Sequence, residues 1–498
     1  MVLAALLSLV LSNLQVTLLF LIVFLVCFWW IRIPKNLPPG PFPLPIIGNS
    51  LKLFGKSNYE LFCHLAEEYG SIYTFYLGNI RGIIVSDLNI IKEAAVKQAD
   101  TFSNRFLPPI LEWTVQDHGS VFFQNGPVWK ERRKFFMQAL RNFGVGKKSL
   151  EYKINEEACY MIKLFEEQEE KPFDPSQFTN YVIANVICHI TFGKRFNYDD
   201  TDFQKIIQLL QTFNRSVSLG GVLQVFPWLV RTPFYRHVAD VMDALKDFVT
   251  VYLNDHKETL NEDNHRDIID MYLSEIKRQQ QSGEEVIFKP EEAWRSIGEL
   301  FSGGADSTTN TLLFAILLSV VNPDVQDKVV QEEIDRVIGS SRQPSYEDRL
   351  RMPYCEAVLM EVQRFKPVAP LAPPHGVFKD AFLAGYYIPK GSQVFFNLCA
   401  VLHDPKVWKN PKSFDPSNFL SEDGKSVIKP ENFIPFGIGR RICIGEHLAK
   451  MELFLFYTNL MQRFKFSLPE GDPTPSLVPV VGILGKPVPF RICATPRG

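Results

Sequence analysis

The sequence has almost no net charge and no closely spaced pair of cysteines. Its 53 basic and 55 acidic side chains leave a formal charge of -2, which argues against a nucleic-acid partner. None of the eight cysteines forms a Cys-x-x-Cys pair, and no Gly-x-Gly-x-x-Gly loop follows a predicted strand. The chain is therefore not expected to bind nucleic acid or a dinucleotide of its own.

Charge is also absent from the N-terminus, because no charged side chain occurs in Val2–Ile31. This stretch is long enough to span a bilayer, which takes about 20 residues, and Trp29–Trp30 suits a membrane interface. A cleaved signal peptide is the competing interpretation, but no basic leader precedes the apolar run and no small-x-small site follows it. We predict an uncleaved anchor over residues 1–33. Because Arg32 and Lys35 follow, the rest of the chain is expected on the cytosolic side, with its cysteines reduced.

The sequence after the anchor predicts one large, mainly helical unit. Prolines crowd residues 34–50 and favour a stiff, extended hinge. Helix-period apolar patterns then dominate, among them Asp87–Gln98, Pro290–Val321 and Glu446–Arg463. Strand-like stretches are few and short, such as Ile72–Tyr76, Gly82–Val85 and Val394–Asn397. No internal repeat divides residues 51–498, so we predict a single α-rich catalytic domain with a minor β-sheet region.

A single cysteine stands between glycines in the run Phe436–Gly445, just before an apolar-periodic segment. Gly439 and Gly445 can adopt backbone angles closed to other residues, so a flat cofactor can lie close to the main chain. A helix that starts near Gly445 would direct N–H groups and its positive end at Cys443 and lower the thiol pKa. Arg441 offers a cation to an anionic group of the same ligand. The run could therefore present one thiolate to a metal.

The spacing Phe-x-x-Gly-x-Arg-x-Cys-x-Gly resembles the haem-binding loop of the cytochrome P450 family, the haem-thiolate monooxygenases. The resemblance implies that Cys443 is the axial ligand of haem b, iron protoporphyrin IX, with Phe436 and Gly437 beside the cofactor. Thiolate donation to the iron favours O–O cleavage. A lone buried cysteine is more often an inert small hydrophobe, but the glycines and the arginine favour the functional interpretation here.

A second motif lies in the predicted long helix, in the run Phe301–Thr309. Each glycine inside a helix weakens it by about 1 kcal/mol relative to alanine, so the presence of Gly303 and Gly304 in this helix needs an explanation. One reason is close crossing by another helix, and the other is a groove over the haem for dioxygen and water. Asp306 and Ser307 resemble the family's acid–threonine pair, which implies proton delivery during oxygen reduction. Serine replaces the usual threonine and rotates more freely, so we expect oxygenase activity with more escape of reduced oxygen.

The resemblance also assigns residues around the haem. Glu361 and Arg364, one helical turn apart, match a structural Glu-x-x-Arg pair, and Asn418 stands where the family has an arginine or histidine. The donors expected at the haem propionates are Trp129, Arg133, Arg441, Arg105 and His375. Without the resemblance, residue type alone would place the tryptophan in the hydrophobic core and the arginines on the solvent-exposed surface.

Apolar side chains are expected to enclose a substrate cavity. By resemblance, its lining consists of Phe106, Ile110, Phe123, Phe301, Ala305, Thr309, Val368, Leu371 and Ile483. Each of these taken alone is more often ordinary core. The segment 217–234 is expected to dip into the membrane and admit lipophilic substrates.

Monooxygenation needs two electrons, and the chain has no nucleotide-binding loop. The resemblance therefore implies a separate NADPH–cytochrome reductase, with cytochrome b5 as a further partner. The basic face proposed for an acidic flavoprotein comprises Lys130, Arg132, Arg133, Lys134, Arg141, Lys147, Lys148, Arg440 and Lys450. A merely solvated helix face is the plain alternative.

Stretches such as Ala139–Gly144 and Leu383–Tyr386 resemble the vertebrate microsomal family 2 enzymes, most of all the J-type group that oxidises polyunsaturated fatty acids. The resemblance implies a single-pass endoplasmic-reticulum protein that epoxidises or hydroxylates lipophiles such as arachidonic acid, steroids or xenobiotics. Two alternatives stay open: a haem-thiolate isomerase of lipid peroxides that needs no reductase, and a non-enzymatic membrane haem protein. Asp306 and Ser307 argue against the isomerase, which has no need of proton delivery to dioxygen.

Overall fold

The computed structural model describes residues 34–53, 58–114, 119–216, 222–283, 285–480 and 482–497, with six further positions between 16 and 24. The predicted anchor over residues 1–33 lies outside the described part except for those six positions, which are helical and exposed. The division into anchor, hinge and catalytic domain stays a prediction.

Helices dominate the described chain, which confirms the mainly α fold class. Those of the first half are α1 (Asn58–Tyr69), α2 (Leu88–Lys92), α3 (Ala99–Phe102), α4 (Pro109–Thr114), α5 (Gly126–Asn142), α6 (Lys148–Glu166), α7 (Ser176–Thr191) and α8 (Thr201–Ser216). Those of the second half are α9 (Val222–Val225), α10 (Arg236–Thr259), α11 (Ile268–Ser282), α12 (Ala293–Val321), α13 (Gln331–Val337), α14 (Pro353–Phe365), α15 (Leu398–Leu402) and α16 (Glu446–Arg463). Two π-helical turns, Glu93–Lys97 and Val325–Val330, adjoin α2 and α13.

The strands form three small sheets. They are β1 (Ile72–Leu77), β2 (Ile80–Val85), β3 (His375–Gly376), β4 (Ala381–Leu383), β5 (Tyr386–Ile388), β6 (Gln393–Phe396), β7 (Phe464–Ser467) and β8 (Cys493–Pro496). In the four-stranded sheet the order is β1-β2-β6-β3; β2 and β6 run parallel, and the other neighbours run antiparallel. Strand β4 pairs with β5 and β7 with β8, both antiparallel.

Helix α12 crosses the centre of the molecule, which explains its length and apolar composition. It packs on α7, α10, α14 and α16, and every residue of Leu312–Leu318 is fully buried. Among the described residues, Pro290–Val321 alone is long and apolar enough to cross a membrane, yet 83% of its most apolar window is buried. It is therefore the core helix of a folded domain, stabilised by about 1.5–3 kcal/mol for each large apolar side chain it buries.

The proline-rich segment 34–50 is bound along strand β1. The N–H of Thr74 donates to the carbonyl of Pro39 at 2.7 Å. The side-chain oxygen of Asn49 accepts from the N–H of Tyr76 at 2.8 Å. The N–H of Asn49 donates back to the carbonyl of Tyr76 at 2.7 Å, whereas at the prolines, which have no N–H, the strand supplies the donor.

Candidate functional site

The cysteine loop joins a 3-10 turn, Gly439–Arg441, to helix α16. Gly439 has φ +76°, and a Cβ there would overlap the carbonyl oxygen of Ala95, so the position requires glycine. The N–H of Cys443 donates to the carbonyl of Phe436 at 3.0 Å and closes the loop. Gly445 is the N-cap residue of α16, as the motif predicts.

The sulfur of Cys443 lies at the N-terminal end of α16. Cys443 is exposed as a residue, but removal of water from its sulfur raises the pKa of the free thiol. This burial outweighs the N–H groups of Gly445 and Glu446 and the cation of Arg133, which act in the opposite direction. The predicted lowering of the thiol pKa is therefore wrong for the free thiol. A coordinated metal ion would deprotonate the thiol outright.

Three arginines beside the loop have no carboxylate partner among the described residues. They are Arg105, Arg133 and Arg441, and their N–H groups donate mainly to backbone carbonyls. The guanidinium of Arg441 stacks on Trp129, 3.6 Å from the ring centroid. Burial, together with repulsion among the arginines, lowers the pKa of Arg441 to about 8 and that of Arg105 to about 9. The cluster has an excess of buried positive charge.

His375 lies next to this arginine cluster. Its backbone pairs with that of Arg105, and its ring packs 4.5 Å from the ring of Phe396. Its Nδ1 and the Nε of Arg105 are buried and have no hydrogen-bond partner in the described structure. Burial, helped by Arg105, lowers the pKa of His375 well below its usual value, so the ring is neutral at pH 7. Buried cations and unpartnered nitrogens of this kind fit the two propionates of a haem.

Asn125 is a site residue that the sequence reasoning missed. Its side-chain oxygen accepts from the N–H of Arg105 at 2.6 Å and from Nη2 of Arg441 at 3.0 Å. It occupies the N-cap position of α5, yet its side chain makes no capping bond to that helix. In the sequence, an asparagine before Gly-Pro indicates the start of a helix. It does not indicate that the asparagine side chain accepts hydrogen bonds from two arginines.

A cavity of about 50 Å³ lies between α12 and the cysteine loop. Ser307 from α12 and Phe436 from the loop both line it. The Ser307 hydroxyl donates to the carbonyl of Gly303 at 2.7 Å. A Cβ at Gly303 would approach only Phe122, at 4.0 Å, whereas a Cβ at Gly304 would lie 2.5 Å from Ile187 of α7. The crossing of α7 therefore accounts for Gly304, whereas Gly303 borders open space and its role in a groove over the haem stays a prediction.

Asp306 points away from that cavity. Its buried carboxylate accepts a hydrogen bond from the side-chain amide of Asn214 on α8. Burial raises the pKa of Asp306 to about 6, although Asn214 and Lys486 oppose the shift. The acid and the hydroxyl of the motif therefore face different neighbours.

The structure distributes the predicted pocket residues over several places, and one of them lines this cavity. Val368 lines the cavity together with Ser307. Ile110 and Phe123 belong to an apolar cluster with residues of α9 and α10. Phe106 is half-buried, and Ile483 is 41% exposed.

Other predicted pocket residues belong to the core. Phe301 packs between the rings of Phe192 and Phe248, at 5.9 and 6.1 Å, because α7 and α10 offer aromatic partners on that face. Leu371 packs into the cluster between α1 and the sheet. Ala305 and Thr309 are buried within α12. Burial in the core does not exclude Phe301 and Leu371 from a cavity wall, so their pocket assignments stay predictions.

Glu299 on α12 is a second residue that the sequence reasoning missed. Its carboxylate accepts from the hydroxyl of Ser120 at 2.7 Å and from the N–H groups of Val121 and Phe122 at 2.8 and 3.1 Å. Arg295 donates to it at 2.9 Å. The carboxylate thereby fixes the loop that leads to Asn125. The sequence does offer one indication of its role, because a carboxylate within an otherwise apolar helix needs hydrogen-bond or charged partners.

Glu361 and Arg364 form a fully buried salt bridge with two N–O distances of 2.7 Å. Arg364 also donates to three backbone carbonyls. The Asn418 amide lies 3.4 Å from both carboxylate oxygens, so it supplies a weak hydrogen bond in place of a cation. The pair connects α14 with the segment after α15 and takes no part in the cavity.

The predicted basic face is present only in part. A groove of about 620 Å³ is lined by Lys130, Arg133, Lys134, Arg141 and Arg440, together with Trp129. Arg132 is instead buried and forms an ion pair with Glu292, because it lies on the core side of α5. Arg440 pairs with Asp100 and Lys450 with Glu446, while Lys147 and Lys148 are exposed.

Comparison with known proteins agrees with this geometry. The family model described as Cytochrome P450 matches residues 38–494. The chain belongs to the cytochrome P450 family. It is a haem-thiolate monooxygenase with haem as its cofactor. Bound haem supplies the iron at which dioxygen is reduced.

Family 2 enzymes are among the relatives of this P450. It is 39% identical to human cytochrome P450 2U1 over 496 residues, covering 94% of this chain and 90% of that protein. It is 40% identical to human cytochrome P450 2J2 over 471 residues, covering 94% and 92%. It is 38% identical to rat cytochrome P450 2C23 over 472 residues, covering 94% and 95%. The predicted J-type likeness is thus shared with other family 2 groups at nearly equal identity.

Proposed function

We propose that this P450 epoxidises or hydroxylates lipophilic substrates, polyunsaturated fatty acids above all, with electrons from a separate NADPH–cytochrome reductase. The observation that carries the proposal is the cavity in which Ser307 lies across from Phe436 of the cysteine loop. It places a proton-carrying hydroxyl beside the loop of the thiolate. Asp306, one residue earlier, faces Asn214 instead of this cavity, so the proposal assigns proton delivery at the cavity to Ser307.

Cofactor binding is assigned within the same proposal. Cys443 ligates the iron, and Phe436 and Gly437 lie against the haem. Trp129, Arg105, Arg133, Arg441 and His375 hold the propionates. Support comes from the absence of any carboxylate partner for the three arginines in the described structure and from the unpartnered Nδ1 of His375.

The basic groove on α5 is proposed as the reductase surface. It carries several cations and no acidic lining residue among those described. Arg133 connects the groove with the thiolate, because it lines the groove and also donates to the carbonyl of Ile442 at 2.6 Å. Such a surface speeds encounter with an acidic partner, and its effect weakens as salt rises.

Membrane association is proposed from two exposed apolar segments that lie side by side. Trp228 and Phe234 are 52% and 77% exposed, and Ile46 in the hinge is 62% exposed. Gly78 lies between the two segments: a Cβ built on it would be 3.2 Å from the side chain of Val225, just before Trp228, and 3.3 Å from the carbonyl oxygen of Ile46. One apolar face is thereby presented to the endoplasmic-reticulum membrane, beside the cluster that contains Ile110.

The test is turnover of the full-length enzyme in vesicles with reductase, NADPH and labelled dioxygen. Arachidonic acid, a steroid panel and a xenobiotic panel serve as substrates, with products read by mass spectrometry. We expect fatty-acid products that carry one labelled oxygen atom and require both reductase and NADPH. Conversion of a lipid peroxide without reductase would indicate an isomerase instead. No product under any condition would indicate a non-enzymatic haem protein.

The role of Ser307 is tested in the same assay. Ser307→Ala is expected to lower product formed per NADPH consumed, because the cavity loses its hydroxyl. Ser307→Thr is the matched control and should keep or raise this ratio. An unchanged ratio in Ser307→Ala would contradict the assignment.

A further inference from the structure

Two thiols far from the haem site lie in direct contact. The sulfurs of Cys63 on α1 and Cys399 on α15 are 3.1 Å apart, although 336 residues separate them in sequence. Both residues are present as thiols and not as half-cystines. Because a disulfide bond is about 2.0 Å long, only about 1 Å of approach separates this contact from a covalent link.

The backbones around the two thiols are fixed to each other. The carbonyl of Phe62, the residue before Cys63, accepts from the Tyr73 hydroxyl at 2.9 Å. The same carbonyl accepts from the side-chain amide of Asn397, two residues before Cys399, at 3.3 Å. The sulfur contact therefore rests on an ordered network, not on two flexible surface side chains.

The surroundings of the two thiols differ in a way that suits oxidation. Cys63 is half-buried and open to a small oxidant, whereas Cys399 is fully buried. The Lys366 ammonium interacts electrostatically with Cys399, and the Nδ1 of His403 lies 3.7 Å from its sulfur. Redox-sensing pairs commonly join an accessible thiol with a second thiol that resolves the first oxidation product.

We propose that Cys63 and Cys399 form a reversible disulfide when hydrogen peroxide reaches Cys63, at a modification site separate from the haem. Peroxide oxidises the Cys63 thiol to a sulfenic acid and is reduced to one water. The Cys399 sulfur then attacks the Cys63 sulfur; the S–S bond forms as the S–O bond breaks. The departing hydroxide takes the Cys399 proton and leaves as a second water. Two thiols and one peroxide thus give one disulfide and two waters, and a dithiol reverses the change.

The disulfide would tie two layers of the fold together. The N–H of Cys399 donates to the carbonyl of Pro370 at 3.0 Å. At the other end of α15, the carbonyl of Leu402 accepts from Arg364 at 3.1 Å. The bond would therefore link α1 to the buried salt bridge of α14, and we expect oxidation to raise the thermal midpoint. This inference does not depend on which substrate the enzyme oxidises.

The direct test uses the unmutated full-length holoenzyme. It is exposed to hydrogen peroxide, free thiols are blocked with N-ethylmaleimide, and unreduced peptides are mapped by mass spectrometry. We expect a peptide pair linked through Cys63 and Cys399 that dithiothreitol separates. When the thiols are blocked after unfolding in denaturant, so that the buried Cys399 is as accessible as Cys159, labelling of Cys63 and Cys399 should fall about tenfold below that of Cys159, because a neighbouring thiol traps the sulfenic acid efficiently.

Variants supply the matched controls. Cys63→Ser and Cys399→Ser should each abolish the linked peptide and the rise in thermal midpoint, whereas Cys159→Ser should retain both. The proposal is overturned if both thiols of the unmutated enzyme stay labelled as fully as Cys159. It is equally overturned if Cys63 is recovered as a sulfinic acid or mixed disulfide while Cys399 remains labelled.

Discussion

Arginines that are wholly or partly buried fall into two groups in this P450, which differ in whether the described chain supplies a carboxylate partner. Arg364 has its own acid, Glu361, with two N–O distances of 2.7 Å. Arg105, Arg133 and Arg441 have none among the described residues. In the first group, a carboxylate of the chain itself neutralises the arginine. In the second group, the positive charge and the unpartnered Nε of Arg105 are available to an anionic group of a bound ligand. A buried ion pair serves the fold, whereas a buried cation without a partner is typical of a binding site.

The largest expected effect comes from removing the internal acid. Glu361→Gln leaves the Arg364 cation buried without a charged partner, and breaking such a pair costs about 3–5 kcal/mol of unfolding free energy. Denaturant unfolding and the yield of folded holoenzyme measure the loss. Glu169→Gln, which breaks an exposed pair with Lys171, is the control and should cause no measurable change. Equal behaviour of the two variants would remove the distinction between the groups.

A buried carboxylate without a cation beside it, that of Asp306, should make the stability of the fold depend on pH. Burial raises the pKa of Asp306 from its ordinary 3.8 to about 6, so the folded state binds the extra proton between these values. The contribution of Asp306 to stability therefore falls as pH rises from 3.8 to about 6 and is constant above, by on the order of 3 kcal/mol. Asp306→Asn should remove this slope from unfolding free energies measured across the range. Parallel profiles for the two proteins would contradict the burial of an uncompensated charge.

A smaller effect, confined to cofactor retention, is expected in the unpaired group. Arg441→Leu should weaken haem binding by about 1.5–3 kcal/mol, because a charged hydrogen bond to a propionate is lost. The rate of haem transfer to apomyoglobin measures this loss. Arg440→Leu, at the neighbouring residue paired with Asp100, should leave the rate unchanged. A faster transfer in both variants would show that the effect is not specific to the unpaired cluster.

The smallest effect on the haem site is expected from Glu299, whose carboxylate holds the loop that leads to Asn125. Glu299→Gln keeps one acceptor for Ser120 and the N–H groups of Val121 and Phe122 but removes the charge that pairs with the buried Arg295, and breaking such a pair costs about 3–5 kcal/mol of unfolding free energy. We expect a changed product distribution and KM with a nearly unchanged carbon monoxide spectrum, since the loop carries Phe122 and Phe123. Glu291→Gln, at an exposed acid before α12, is the control. An unchanged product distribution would show that the loop keeps its position without the charge.

Elements with strong local signals could be predicted from the sequence. The bounds of α16 follow from the glycine at its N-cap, and Pro290–Val321 follows from its long apolar pattern. The segment Asp87–Gln98 was harder, since α2 gives way to a π-helical turn at Glu93. Strands of two or three residues, such as β3 and β4, are too short to show a period of two.

Side-chain direction was the part that the sequence could not supply. Arg132 and Arg133 are adjacent, and successive residues on a helix point about 100° apart, so only one of them could face the groove. The sequence alone does not show which side of α5 meets the core. The packing partners of Phe301 and Leu371 likewise come from distant elements, α7, α10 and α1, which the sequence alone does not show. Asn125 and Glu299 could not be predicted from the sequence, because most of the groups that donate hydrogen bonds to them belong to segments distant in sequence.

The most direct test of the central claim, a Cys443 thiolate on haem iron, is the absorption spectrum of the dithionite-reduced protein under carbon monoxide. The account predicts the red-shifted Soret band of thiolate coordination in the unmutated enzyme and its loss in Cys443→His at equal haem content. A fully haem-loaded, folded enzyme without that band would contradict the account.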